Sequence, residues 1–296
     1  RLEKAKSTAK LELERFNVHK SLRAIEHFIL EDLSRWYVRL VRDRTWVEGE
    51  SRDKLAAFRV LYDSLFETSI LLSPFTPHIA EKIYQNLSGK NITVAMENCV
   101  TVNDQRRSAE LEESMDVIRS MVEAVLNARQ QAQVNVRWPL KKIVVVSSTP
   151  ISREALEVYG DLLKEQINAI SIELVEPGKT WEGVRLTIEP VMAGLGPVFK
   201  GEAVKVANLI KEMDPTEALN KLEKGELKVI LHDAAVDVTK AMVQFGQALP
   251  EEVISADYMD GVIYIDTVMT PELQAMGFAR ELIRRIQEMR KEMDLA

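Results

Sequence analysis

One cysteine, Cys99, in 296 residues excludes an intrachain disulfide and any zinc site built from several thiolates. It fits a reducing, cytoplasmic setting. No run of about 18 apolar residues occurs, so no transmembrane helix is expected. The four histidines (19, 27, 78 and 232) are scattered, and none stands at metal-ligand spacing from a cysteine or carboxylate. Neither G-x-x-x-x-G-K-[ST] nor G-x-G-x-x-G occurs. Gly194-Leu195-Gly196-Pro197 resembles part of a glycine loop, but Pro197 removes an amide donor that such a loop uses. The pairs Glu112-Glu113 and Glu251-Glu252 are adjacent and diverge, which suits acid/base chemistry poorly. No catalytic residue can be named, no metal is expected and no cofactor is implied. Cys99, with no Lys, Arg or His close in sequence, reads as a structural thiol.

What the chain does have is apolar content of 46%, enough for real cores in two domains or one large one. It begins at Arg1 rather than Met, with helical pattern already running, and stops at Met293-Asp294-Leu295-Ala296 within a charged helical pattern. It is expected to be a piece of a larger protein. Net charge is −7, which argues against a generic polyanion binder, yet the charge is uneven. Residues 1–46 hold eleven Lys/Arg and seven Asp/Glu, a net of +4, leaving −11 for the rest.

That basic stretch contains the most informative residues. No Gly or Pro interrupts Asn17 to Glu48, and the spacing predicts one long helix. Arg35, Arg39 and Arg42 then fall at i, i+4 and i+7, in a row, while Leu33, Tyr37, Leu40 and Val41 form a separate apolar stripe. Trp36 and Trp46 flank the row. Forked cations beside aromatic planes suit a ribose-phosphate backbone with unstacked bases. The bland alternative is a solvated face whose arginines pair with acids such as Asp63 or Glu67, with Trp36 in a core; Trp46, near a helix end, is the better stacking candidate.

The fold class expected is α+β. Up to about 134 the pattern is helical: Leu2 to Phe16; a helix capped by Asn17; and one capped by Ser51, with Leu55, Phe58, Tyr62, Leu65, Phe66 and Ile70 on one face. Pro77 opens the next, with Ile79, Ile83, Tyr84 and Leu87 inward and Gly89 as its stop. Segment 90–105 reads as an irregular crossover, followed by Arg107 to Gln133 with Ile118, Met121, Val122, Val125 and Leu126 inward. Antiparallel helices with short turns make a bundle. From Asn135 strands enter: Lys142 to Ser147, Ile170 to Val175, Val184 to Pro190, Leu227 to Leu231 and Val262 to Val268, the last after an Asp260-Gly261 turn signal. Helices are expected at Arg153 to Ile167, Gly201 to Met213, Pro215 to Lys224 and from Pro271 onward. The domains expected are thus 1–134, a helical bundle, and 135–296, a smaller mixed α/β domain. A second basic-aromatic cluster, Arg129, Arg137, Trp138, Lys141 and Lys142, falls at the junction.

Five segments carry a resemblance: D-L-S-R-W-Y-V-R at 32–39, L-S-P-F-T-P-H-I-A-E at 72–81, N-V-R-W-P-L-K at 135–141, L-G-P-V-F-K at 195–200 and G-F-A-R-E-L-I-R-R-I-Q-E-M-R-K at 277–291. In this order the chain resembles the C-terminal region of isoleucyl-tRNA synthetases of the archaeal and eukaryotic-like kind; the proline-bracketed segment is shared with valyl and leucyl relatives. The resemblance implies that residues 1–134 are an anticodon-binding bundle of class I type and the remainder an appended tRNA-binding support domain. It places the ATP-using catalytic fold and the editing domain outside this chain, so the partners implied are isoleucine tRNA and the parent's own catalytic domain, with no membrane. The tRNA-facing candidates are Arg35, Arg39, Arg42, Trp46, Arg129, Arg137, Trp138, Lys141 and Lys142. Bacterial members end in a cysteine-ligated zinc module, which one cysteine cannot form. The competing readings are a helical protein-interaction scaffold and the same region of a valyl-type enzyme; a self-sufficient enzyme is disfavoured.

Overall fold

The computed structural model describes every residue except 47–48, 90–91, 177–178, 180, 226, 232–233 and 295–296, so His232 and the expected helix end at Glu48 lie outside the described residues. The chain is α+β and divides into two compact units, Arg1–Glu112 and Glu113–Ala296, with the dividing point inside a long helix.

The first unit is helical. Helix α1 (Leu2–Glu14) packs on α2 (Val18–His27). Beyond α2 the backbone does not stay α-helical: Phe28–Val38 winds as a π-helix before α3 (Arg39–Trp46) resumes the ordinary turn. The π ladder bonds i to i+5 and takes more residues per turn. Accordingly, the buried Phe28 and Leu33 stand five residues apart. They pack with Ala5, Leu2, Ile29, Tyr37 and Leu61 into one core cluster. Asn17 does not cap α2 with its side chain, which instead donates to Glu12 at 2.9 Å.

Helix α4 (Arg52–Leu72) is capped by Ser51, whose hydroxyl accepts from the Lys54 amide at 3.1 Å. Its buried residues are Ala57, Ser64, Thr68 and Ser69, while Leu55, Phe58, Tyr62 and Leu65 are exposed. The inward stripe is therefore displaced from the large apolar residues onto small ones, which let neighbouring backbone come closer. Phe66, Ile70 and Leu72 do pack, against Ala80, Tyr84 and Val94. Helix α5 (Pro77–Ser88) opens on its proline and ends at Gly89, whose φ of 62° is the left-handed cap that glycine adopts without strain. Ile79, expected inward, is exposed, and so is Cys99, expected as a structural thiol. Short 3₁₀ turns at Val94–Met96 and Asp104–Arg106 punctuate the crossover to α6 (Ala109–Gln131).

In the second unit, β1 (Leu140–Ser147) pairs in parallel with β2 (Ala169–Val175), with α7 (Pro150–Ile167) as the crossover between them. A region built on a second core follows: β3 (Arg185–Pro190), α8 (Met192–Phe199), α9 (Ala203–Lys211), α10 (Pro215–Glu223), β4 (Lys228–Leu231), β5 (Ala234–Asp237) and β6 (Val243–Ala248). Strands β3 and β6 pair antiparallel, as do β4 and β5. The shared core includes Ile188, Leu195, Val206, Ile210, Leu222, Val229 and Met242. The chain then returns through the hairpin β7 (Val253–Tyr258) and β8 (Gly261–Asp266), giving a four-stranded sheet in the order β2-β1-β8-β7. Helix α11 (Pro271–Glu292) closes the chain, its N-terminus capped by Thr270. The stretch Gly194-Leu195-Gly196-Pro197, which resembles part of a glycine loop but lacks one of its amide donors, lies in α8. It is helical, and Gly194 is needed for approach: a Cβ there would lie 2.1 Å from the Ala241 carbonyl oxygen.

The expected Asp260-Gly261 turn is held from three sides. The hydroxyls of Ser147, Thr149 and Ser152 lie 2.8, 2.6 and 2.5 Å from one oxygen of Asp260, and the Tyr258 hydroxyl lies 3.1 Å from that of Ser152. Burial alone would raise the Asp260 pKa, but these donors outweigh it and hold the carboxyl below its ordinary 3.8. A carboxylate so depressed stabilises the fold above its unfolded value and loses that contribution as pH falls through its folded value. Denaturant midpoints followed by circular dichroism should therefore drop below pH 3.8. Asp260→Ala should lower stability at pH 7 by about 2 kcal/mol or more, because three hydroxyls lose a charged acceptor, and should flatten that acid dependence.

Candidate nucleic-acid interface

In the first unit, lysines and acids nearest the core satisfy one another. Lys6, 3% exposed, bonds Glu3 at 2.8 Å and Glu67 at 2.6 Å; Glu3 also accepts the Asn103 amide at 2.7 Å, and Arg106 reaches Glu67 at 3.6 Å. Burial would raise the Glu3 pKa, but the Asn103 amide and Lys6 bring it below the usual carboxylate range. Asp63 pairs with Arg59 at 3.0 Å. The acids considered as partners for the arginine row are thus held by other cations.

The row itself is changed by the π-helical segment. Arg39 and Arg42 share α-helical winding three residues apart, whereas Arg35 lies in the wider π turn and pairs with Glu31 at 2.6 Å. All three are exposed, and no described carboxylate lies within ion-pair distance of Arg42. Trp36 is half-buried, and Trp46, at the last turn of α3, is 80% exposed. Arg44, not singled out from the sequence, forms a two-pronged pair with Asp53 and also donates to its carbonyl at 3.2 Å. That fork fixes the end of α3 against the start of α4, and so fixes the helix that carries Arg39, Arg42 and Trp46.

The segment 72–81 contributes a different feature. An open depression of about 420 Å³ is lined by Ser73, Pro74, Pro77, His78, Glu81, Thr93, Val94 and Ala95. The Glu81 carboxylate accepts from the Thr93 hydroxyl at 2.7 Å and the Val94 amide at 2.8 Å, which hold its pKa down. It fastens the crossover to α5.

The members of the second basic-aromatic cluster are divided between buried and exposed positions. Arg129 is 1% exposed and donates to the carbonyls of Asn135 (3.2 Å), Trp138 (3.0 Å), Ile167 (2.7 Å) and Asn168 (3.1 Å), so it is not available to a phosphate. Burial pulls its pKa down to about 10. Trp138 packs edge-on to Phe278, with ring centroids 5.2 Å apart, and occupies the space beside Gly277: a Cβ there would lie 2.4 Å from its ring. Arg137 bonds Glu281 at 3.0 Å, and Glu281 is also held by Arg284 and Arg285. The Arg284 hydrogen bond, aided by the other arginines, holds the Glu281 pKa down to about 2. Lys142 pairs with Glu173 across β1 and β2. Lys141 remains exposed.

Residues 1–145 match the family described as the anticodon-binding domain of tRNA ligase. They belong to that family. Almost the whole chain also aligns with curated isoleucine–tRNA ligases. The relative from Methanosarcina acetivorans is 42% identical over 286 residues, 94% of this chain and 27% of that protein. The Methanocella arvoryzae relative is 42% identical over 95% of this chain and 26% of its own length. The Halobacterium salinarum relative is 36% identical over all of this chain and 28% of its own length. The chain therefore spans about a quarter of the length of the isoleucine–tRNA ligases it matches. Among the described residues no helix is long and apolar enough to cross a membrane.

Burial and four carbonyl partners give Arg129 a structural role that can be separated from RNA contact. Arg129→Lys should lower the melting temperature, because one ammonium cannot reach four carbonyls set in a fork. Removing the cation altogether, as in Arg129→Ala, should cost about 3 kcal/mol or more by leaving buried acceptors unpaired. Neither change should alter the salt dependence of RNA binding measured on protein that is still folded.

Proposed function

We propose that this chain is the anticodon-arm-binding, C-terminal part of an isoleucine–tRNA ligase, with isoleucine tRNA and the parent's catalytic domain as its partners. The observation that carries this reading is the coincidence of two matches. Residues 1–145 fit the anticodon-binding family, and nearly all of the chain aligns with proteins named isoleucine–tRNA ligase. That name favours isoleucine over the valyl alternative. The parent joins isoleucine to its tRNA with ATP, in a catalytic fold outside these residues, so no cofactor is assigned to this chain. Residues 1–134 act as the antiparallel class I bundle and 135–296 as its support domain, in a cytoplasmic enzyme.

Within this reading, Arg39 and Arg42 meet phosphates and Trp46 offers a face to a base. Their support is exposure on a helix pinned by Arg44 and, for Arg42, the lack of a carboxylate within ion-pair distance among the described residues. Arg35 and Lys141 are exposed and are kept as secondary contacts; Arg137, Lys142 and Trp138 serve the packing of the second unit.

Titration of the 296-residue chain with isoleucine tRNA and a non-cognate tRNA at several salt concentrations tests this. The affinity should favour isoleucine tRNA and fall with log salt, by a slope of about −0.7 to −0.9 for each phosphate neutralised. Arg42→Ala should remove roughly one such increment from the slope. Trp46→Ala should leave the slope unchanged and weaken binding roughly ten-fold, the loss of one stacked base. No binding to either tRNA at low salt overturns the proposal, and an unchanged slope in Arg42→Ala makes that side chain structural.

A further inference from the structure

The turn between α1 and α2 holds an anomaly that the fold does not account for. Phe16 has a φ of 59°, in the left-handed region, and is 91% exposed. The turn closes as a helix C-terminus does: the Phe16 amide donates to the Leu13 carbonyl at 2.9 Å, and the Asn17 amide reaches back to Glu12 at 2.8 Å. Glycine or asparagine adopts this conformation at little cost, whereas a bulky side chain is strained by it. The other described non-glycine residues with positive φ are Gln133, Asn168, Lys200 and Asp294, all polar. Phe16 gains no burial in exchange for its strain. A residue that is strained and also buries nothing points to a role outside folding.

The surroundings identify the partner class. Arg15, Lys20 and Arg23 are exposed in the residues flanking the turn, as is Glu14, and the Arg15 guanidinium lies 3.9 Å from Glu12. The exposed large apolar residues close to Phe16 in sequence are Leu11, Leu13 and Val18, which with the ring make a small apolar patch. An open aromatic ring with exposed arginine and lysine side chains close by in sequence matches a base with its flanking phosphates.

We propose that Phe16 is a stacking platform for an unpaired base of the RNA that the first unit binds. The assignment rests on the tRNA-binding reading above, and it names a contact absent from the arginine–tryptophan face of α3.

The test uses the 296-residue chain and a synthetic anticodon stem-loop of isoleucine tRNA carrying a fluorescent purine analogue at successive loop positions. Phe16→Gly removes the ring and the strain together. It should melt at the same or a higher temperature, bind the stem-loop roughly ten- to hundred-fold more weakly, and keep the parent's salt slope. The parent should quench the analogue at one loop position, Phe16→Gly should not, and Phe16→Tyr should restore both quenching and affinity. If Phe16→Gly binds as tightly as the parent, the proposal is overturned. It is equally overturned if that variant changes only the sedimentation behaviour of the protein, which would assign the ring to a protein contact. If the unmodified chain binds neither stem-loop nor whole tRNA at low salt, the tRNA reading itself fails, and the stacking role fails with it.

Discussion

The second unit depends on one buried cation. Arg129 reaches its four carbonyls without a carboxylate in the set, and its pKa is drawn down by the loss of water. An uncompensated buried charge is expensive, so the arrangement persists only because its acceptors would otherwise be worse placed. Two of them, Ile167 and Asn168, are carbonyls at the C-terminal end of α7, the negative end of the helix, which lacks intrahelical donors. The other two, Asn135 and Trp138, belong to the loop between α6 and β1. One planar fork therefore fastens that loop to the end of α7. From this point the parallel pair is set: the Leu140 amide donates to Asn168 at 2.9 Å, and the register continues from Leu140 opposite Ala169. A compact ammonium lacks the donors and the rigid geometry for this task.

The first unit obeys the same constraint with opposite chemistry. Lys6 is nearly as buried as Arg129, but two carboxylates compensate it, and Glu3 and Glu67 draw the Asn103 amide and Arg106 into the same network. Charges near a core are thus committed to structure in both units. Arg42, exposed on α3 with no described carboxylate within ion-pair distance, stands apart by contrast. This distinction is stronger than the count of basic residues, because a count gives Arg129 and Arg42 equal weight.

Element ends were legible wherever one residue has one physical effect. Ser51 caps, Pro77 opens a helix and Gly89 closes it, and the β-branched run at Ile143 to Val146 forms one of the two inner strands of the sheet. The π-helical segment was hidden because its cue, Phe28 and Leu33 five residues apart, violates the 3.6-residue period by which helices are read. The face of α4 was misread for a related reason: the large apolar residues outline one stripe, while Ala57, Ser64 and Thr68 occupy the buried one. Strands β5 to β7 hold no β-branched run like that of β1, and their pairing partners define them. The role of Arg129 could not be read at all, because its acceptors are backbone atoms up to 39 residues away.

Family membership and RNA contact are also read from different residues. Segment 135–141 and segment 277–291 both carried the resemblance, and the structure shows them against each other. Trp138 fills the space that only Gly277 leaves open, and Arg137 binds Glu281. These motifs identify the family because they satisfy one packing problem, in which a bulky ring needs a residue without a side chain. A contact to RNA imposes a different pattern: a side chain that the fold does not use, held where solvent reaches it. Trp46 and Phe16 meet that description, and neither lies in a segment that announced the family. In a chain whose motifs mark its packing, the surface that meets the partner is found by asking which exposed side chains the fold leaves unexplained.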